Sequence, residues 1–403
     1  MDVPVSSARD HGVAPDRFHP PLARSAERLH ALYVLNSLNV GGSESKTVRL
    51  VNAMQARGVN AGIAYLNDSD ALRARLDPRA PVWPLHRRGK FSAAAVRALR
   101  QVIREHAPRV VLSVNMYPAL YVALASAGLR ERPRVVGLLN TTALPKGEEW
   151  RRTFYGPFLR RFDKLVFGCE LQRAQWSARL RVKETRSLVI YNGIDLSRFI
   201  PADSEHAAGH RCMLGIPEQS FLIGTVGRLS PEKNQGVLIR ALGHLRGSGV
   251  DARALLVGDG PARASLAEAV RVSGMEEFVT FAGSQSDVRP FLSAMDVFVL
   301  PSHVETFSNA ALEAMAMGKP VVLSGAGGAA EMVHHGVEGF ILSPSSLEAE
   351  LPKVLESLQR DAAMRLRMGR AGRERVERSF SLERMVDEFC ALTGAPVRKS
   401  GAL

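Results

Sequence analysis

The chain has 403 residues, 46% hydrophobic and 23% charged, with 53 Lys and Arg against 40 Asp and Glu for a formal net charge of +13. That length exceeds one ordinary hydrophobic core and suits two, and the composition excludes a disordered or low-complexity chain. The positive balance favours anionic partners such as phosphorylated metabolites, acidic lipid or nucleic acid, yet it fits arginines on solvated faces equally well, so charge selects no partner.

Residues 1–28 read as a flexible polar tail containing proline, with no apolar run of signal-peptide length. From Leu29 onward short apolar runs alternate with helical patterns: "LHALYVLNSL" then "SKTVRLVNAMQARG", "PRVVLSVN" then "ALYVALASAGL", followed by "RVVGLL", "KLVFGC" and "SLVIYNG". Continuous apolar strands separated by helices predict a parallel sheet covered on both faces. The apolar stretch between Arg109 and Arg130 is long enough to span a membrane. Asn115 and Pro118 divide it, however, and a buried strand, a turn and a buried helix explain it better. Further on, "EEWRRTFYGPFLRRFDKLVFG" sets Trp150, Phe154, Phe158 and Phe162 at four-residue spacing among Arg151, Arg152, Arg160 and Arg161. Such a helix either rests on an anionic membrane or turns its aromatic side to the core, and Pro157 opposes a single long helix.

The alternation restarts after a polar stretch from Leu196 to about Pro217, with "FLIGTVGRL", "DARALLVGDG", "FVTFAG", "DVFVLPS" and "PVVLSG" as strands. The expected architecture is α/β, two doubly wound Rossmann-like domains over residues 29–195 and 196–375, facing a cleft suited to a ligand. Residues 376–403 form a helical tail expected to pack back on the first domain. Cys169, Cys212 and Cys390 have no C-x-x-C spacing, which argues against a disulfide framework or a thiolate zinc site and for a reducing, cytoplasmic compartment.

Three loops carry chemistry. In "LNVGGSESKTVRL" a glycine turn, Gly41-Gly42, precedes a helix N-terminus, where backbone approaches a ligand closely; it lacks the spacing of a dinucleotide fingerprint. In "GTVGRLSPEKN" Arg228 and Lys233 follow the first strand of the second half and suit a diphosphate. In "ETFSNAALEAMAMGKP" a helix begins near Ser308 and stops at Gly318-Lys319-Pro320. Glu305 then lies ahead of the helix and Glu313 on its second turn, roughly 8 Å along the axis from Ser308. Free N–H groups at that turn favour a phosphate, and carboxylates on either side suit sugar hydroxyls or positive charge developing on a sugar carbon. The pair alone would more often be two solvated helix residues.

"YNGID", "GRLSPEKN", "LVGDGP", "LPSHVETFSNAALEAMAMGKPVV" and "GGAAEMV" occur in this order, and together they resemble the retaining glycosyltransferases of family four, which have the GT-B fold. The resemblance covers about residues 30 to 395 and is strongest in the second half. It implies transfer of a sugar from a UDP-, GDP- or ADP-sugar to a glycan or lipid-linked acceptor, with retained configuration and with neither metal nor further cofactor. Glu305 matches the glutamate nearest the donor sugar, Glu313 the one that meets the ribose, and Arg228 and Lys233 the basic pair on the diphosphate. Phe307, Ser308 and Asn309 match the backbone amides, and Gly41 and Gly42 the turn that closes over the donor. Where many members carry a histidine this chain has Asn140 or Thr141, which hydrogen-bond but cannot become cationic.

The expected setting is cell-surface polysaccharide or lipopolysaccharide assembly, on the inner face of the membrane if the protein is peripheral. An epimerase or phosphorylase of the same fold fits less well, lacking titratable groups for the reacting carbon or a cofactor lysine. A non-catalytic binding protein for nucleic acid fits least, since no interleaved aromatic and basic strand is visible.

Overall fold

Thirteen strands, all in parallel sheets, organise the described residues of the computed structural model, which are 28–140 and 150–395. The first sheet contains β1 (Ala31–Leu35), β2 (Ala61–Tyr65), β3 (Val82–Pro84), β4 (Val110–Val114), β5 (Arg134–Leu139), β6 (Lys164–Phe167) and β7 (Ser187–Val189), in the order β3-β2-β1-β4-β5-β6-β7. The second contains β8 (Phe221–Val226), β9 (Ala252–Val257), β10 (Val279–Gly283), β11 (Val297–Leu300), β12 (Val321–Ser324) and β13 (Gly339–Leu342), in the order β10-β9-β8-β11-β12-β13. Period-two alternation sends Ala31, Tyr33 and Leu35 into one core and Leu32 and Val34 into another. The second sheet is covered likewise, with Leu222 on one side and Phe221 and Ile223 on the other. Burial on both faces is why these strands read as unbroken apolar runs. Two doubly wound domains result, as the alternation predicts.

The strand order reverses between β1 and β4 and again between β8 and β11. At such a switch point the connecting loops part and leave a crevice at the carboxyl ends of the strands. The span between Arg109 and Arg130 is β4, then Asn115 at φ 68°, then a helix over Met116–Ser126. Among the described residues no helix is long and apolar enough to cross a membrane.

The helix Ala362–Ser379 runs unbroken through the expected boundary at 375/376, and its Val376 is buried with Met315 in the second domain. The crossing comes at Phe380–Leu382. There the Ile194 N–H donates to the Phe380 carbonyl and the Leu382 N–H to the Ile194 carbonyl, both at 2.9 Å. A Cβ on Gly193 would lie 2.5 Å from the Ser381 oxygen, so only glycine admits so close a passage. Beyond it the helix Leu382–Thr393 lays Met385, Val386 and Phe389 into the core that holds Tyr33, Leu50 and Met54.

The aromatic spacing after Trp150 does not make one face. The helix Trp150–Leu159 ends before Phe162, whose ring is buried in the first domain while Phe154 is 49% exposed. Pro157 lies inside this helix and cannot donate to its ladder. The tail through residue 27 and Thr141 lie outside the described residues.

Candidate active site

Loops from the carboxyl ends of both sheets enclose a cavity of about 320 Å³. The first domain supplies Gly42, Ser43 and Lys46 from the start of the helix Gly42–Ala56, Asn140 after β5, Gly168 after β6 and Asn192 after β7. The second domain supplies Gly227 and Arg228 after β8, Lys233 from a short 3₁₀ turn, and Glu305 through Ala310 after β11. Of the residues expected from the sequence, Gly42, Arg228, Lys233, Glu305, Phe307, Ser308 and Asn309 line this one cavity. Gly41 and Glu313 do not line it.

Each member is held by a local cause. Ser308 caps the helix Asn309–Ala316, its hydroxyl accepting from the Ala311 N–H at 3.2 Å, and the start of that helix, with first-turn N–H groups unused by the helix ladder, lines the cavity. Phe307 is buried against Tyr191 and Phe380, with ring centroids 4.9 and 5.2 Å away. Its carbonyl accepts from Asn192 Nδ2 of the first domain at 2.7 Å. Lys233 Nζ donates to Glu305 Oε2 at 2.6 Å, and the Thr306 N–H donates to Glu305 Oε1 at 3.1 Å. Glu305 is therefore fixed with its charge matched. Gly327, at φ 59°, lets the loop after β12 back against Glu305, since a Cβ there would stand 2.0 Å from the Glu305 carbonyl oxygen.

Glu313 lies on the second turn of its helix as expected, but outside the lining of the cavity. Its side chain is only 15% exposed and its nearest counter-ion is Arg49 Nη1 of the first domain, at 3.7 Å. Burial pushes its carboxyl up to about 7, against the pull of Arg49 and Arg198. A position five residues past the cap sits more than a helical turn along the axis from the cavity mouth.

Several contacts bind the domains at this wall. Thr306 Oγ1 donates to the Asn140 carbonyl at 2.9 Å, and the Asn140 N–H donates to Asn115 Oδ1 at 3.0 Å. Asn140 therefore reaches the cavity where the family histidine is expected. Glu331, in the "GGAAEMV" stretch, accepts from the N–H groups of Glu170 and Leu171 at 2.7 and 2.9 Å and from the Tyr191 hydroxyl at 2.9 Å. A carboxylate of the second domain thus caps the helix Glu170–Leu180 of the first.

Sequence reasoning missed Lys46, Gly168 and Asn192. For Lys46 a signal existed: four residues after Gly42 it must share that glycine's helical face. Lys46 is 8% exposed, and its side chain has no hydrogen bond or ion pair among the described residues. Burial, with Arg49 adding to it, brings its ammonium down to about 8.

Two Rossmann-like domains that close such a cavity from facing strand ends define the GT-B architecture of glycosyltransferases. The sequence model described as "Glycosyltransferase Family 4" matches residues 40–198, and that described as "Glycosyl transferases group 1" matches residues 220–361. Between them they span both domains, and the chain belongs to this family of glycosyltransferases. The lipopolysaccharide core biosynthesis glycosyltransferase LpsE of Rhizobium meliloti is 27% identical over 357 residues, which is 87% of this chain and 95% of LpsE. A D-inositol 3-phosphate glycosyltransferase of Salinispora tropica is 31% identical over 252 residues, 58% of this chain; the match spans about half, 51%, of that relative's length. Among solved structures, Anabaena Alr3699/HepE in complex with UDP superposes with a TM-score of 0.80 at 23% identity, covering 90% of this chain and 99% of that one. WaaG, a glycosyltransferase involved in lipopolysaccharide biosynthesis, superposes at 0.70 and 17% identity over 91% and 100%. These two likenesses concern the fold.

Proposed function

We propose that this protein is a retaining, metal-independent hexosyltransferase that moves a sugar from a nucleotide-diphosphate donor to a glycan or lipid-linked acceptor in cell-surface polysaccharide or lipopolysaccharide assembly. One observation carries the reading: Arg228, Lys233, Glu305 and the amides at Phe307–Asn309 converge on a single interdomain cavity with the Gly42 turn opposite. Cations and backbone N–H groups suit a diphosphate, and the carboxylate beside them suits the sugar attached to it. The HepE complexes with UDP and with UDP-glucose favour uridine among the three candidate bases. LpsE and WaaG support the lipopolysaccharide setting.

In this reading the bond between the anomeric carbon and the diphosphate oxygen breaks, and its electron pair leaves on that oxygen beside Arg228 and Lys233. The acceptor oxygen bonds to the same carbon on the same face, and its proton passes to a phosphate oxygen. Glu305, held by Lys233 and the Thr306 amide, orients the sugar and offsets positive charge on its ring. The acceptor arrives over the first domain. There Phe91 and Phe154, 51% and 49% exposed, flank a cluster of Tyr117, Tyr121 and Tyr155 beside the exposed Arg88 and Lys90. Exposed aromatic and basic groups together favour peripheral contact with an anionic membrane on the cytoplasmic side.

Thermal denaturation against UDP-, GDP- and ADP-sugars tests the donor. A ligand present at 100 times its Kd adds about 2.7 kcal/mol of stability, so a UDP-sugar is expected to raise Tm by several degrees. No shift with any nucleoside diphosphate rejects the reading. Turnover is expected to survive a chelator, and its loss would return a metal to the mechanism.

A further inference from the structure

Three cations line the cavity, and they are not equivalent. Lys233 is committed to Glu305 at 2.6 Å. Arg228, from the second domain, has no side-chain hydrogen bond or ion pair among the described residues, and neither has Lys46 from the first. An ammonium on a lysine that is only 8% exposed overall is costly to hold there unless an anion meets it. Two uncommitted positive charges therefore face one cavity from opposite domains, while Glu305, the one carboxylate lining it among the described residues, is already paired with Lys233. The diphosphate of a sugar nucleotide carries two negative charges, one on each phosphate, which this pair matches.

We infer that Lys46 is a diphosphate-binding residue supplied by the first domain, so that the leaving group is gripped between Lys46 and Arg228. The inference rests on the nucleotide-sugar reading above. It makes donor binding an interdomain event: a ligand lacking the second phosphate engages Arg228 and the helix N-terminus but leaves Lys46 unsatisfied. It also makes binding proton-linked. With its ammonium near 8 in the empty cavity, Lys46 takes up a proton when the anion arrives above that pH. The charged groups around it are Glu44 and Arg49 on its own helix and Arg228, Lys233 and Glu305 across the cavity.

Calorimetric titration of the full chain with UDP, UMP and uridine, using wild type, Lys46→Met and Lys46→Arg, tests this. GDP or ADP series replace these if the wild type prefers them. Lys46→Met is expected to weaken UDP binding about 10- to 100-fold, the range for a charge-assisted hydrogen bond, and to change UMP binding by less than about threefold. Lys46→Arg restores most of the UDP affinity. Titration near pH 8.5 in buffers of different ionisation enthalpy shows proton uptake on UDP binding to wild type that Lys46→Met abolishes. The apo Tm of Lys46→Met stays at or above that of wild type, since a buried charge has been removed.

Unchanged UDP affinity in Lys46→Met, or equal losses for UDP and UMP, overturns the assignment. So does a rise confined to the acceptor's KM, which would make Lys46 a reader of acceptor charge. A wild type that binds no nucleoside diphosphate is a different failure, that of the functional reading itself.

Discussion

The two halves of the cavity are built in different ways. The second domain presents its groups from two loops, those after the adjacent central strands β8 and β11, already bonded to one another: Lys233 to Glu305, Glu305 to the Thr306 amide, Ser308 to its own helix. The first domain presents single residues from four separated places, Gly42 to Lys46, Asn140, Gly168 and Asn192, which meet only because the strand order gathers their loops. A prearranged wall thus faces an assembled one. The first is suited to holding a fixed chemical group, and the second can be varied loop by loop for different acceptors.

This contrast can be broken by measurement, most severely at Glu305. Under the proposed function Glu305→Gln is expected to lower turnover by about 10²–10³-fold with an unchanged melting profile, because its neighbours still fill the loop. Undiminished turnover would move the chemistry elsewhere in the cavity. Next comes the rigidity of that loop. Gly327→Ala places a Cβ 2.0 Å from the Glu305 carbonyl oxygen at a positive φ, and is expected to cost about 2–3 kcal/mol in denaturant titration. A neutral result would show a pliant wall.

The smallest effect sharpens the contact between the halves. Because the Glu313 carboxyl is raised from 4.5 to about 7, the folded chain binds more protons than the unfolded one. Its contribution is therefore least unfavourable below about pH 4.5, and stability declines as pH rises through about 7. Glu313→Gln is expected to remove about 2 kcal/mol of that decline between about pH 5 and about pH 8. Parallel pH profiles for wild type and variant would show that the Arg49 pair already balances the burial.

The same contrast explains what could be read from the sequence. The sheets, the cap at Ser308 and the basic turn were legible because each is a local pattern: apolar runs, a small polar residue before a helix, cations just past a strand. Gly168 and Asn192 were not, since their meeting depends on the order β1-β4-β5-β6-β7 rather than on any neighbour in sequence; Lys46 was legible only through its four-residue spacing from Gly42. The four-residue aromatic spacing left two readings open for a related reason. Helical periodicity holds only while the helix lasts, and Phe162 lies past its end at Leu159. Glu313 was correctly placed on its helix, yet its partner Arg49 comes from 264 positions earlier, a relation no local pattern records.

The return of the final helix to the first domain has a consequence for biosynthesis. Phe389 and its neighbours complete a core begun at Tyr33, so the amino-terminal half emerges from the ribosome with that hydrophobic flank still open. At ordinary elongation speeds the gap between finishing β7 and delivering the closing helix is on the order of 10–40 s. Throughout that interval the nascent chain offers a sticky surface, and truncation anywhere before Met385 would leave it so permanently.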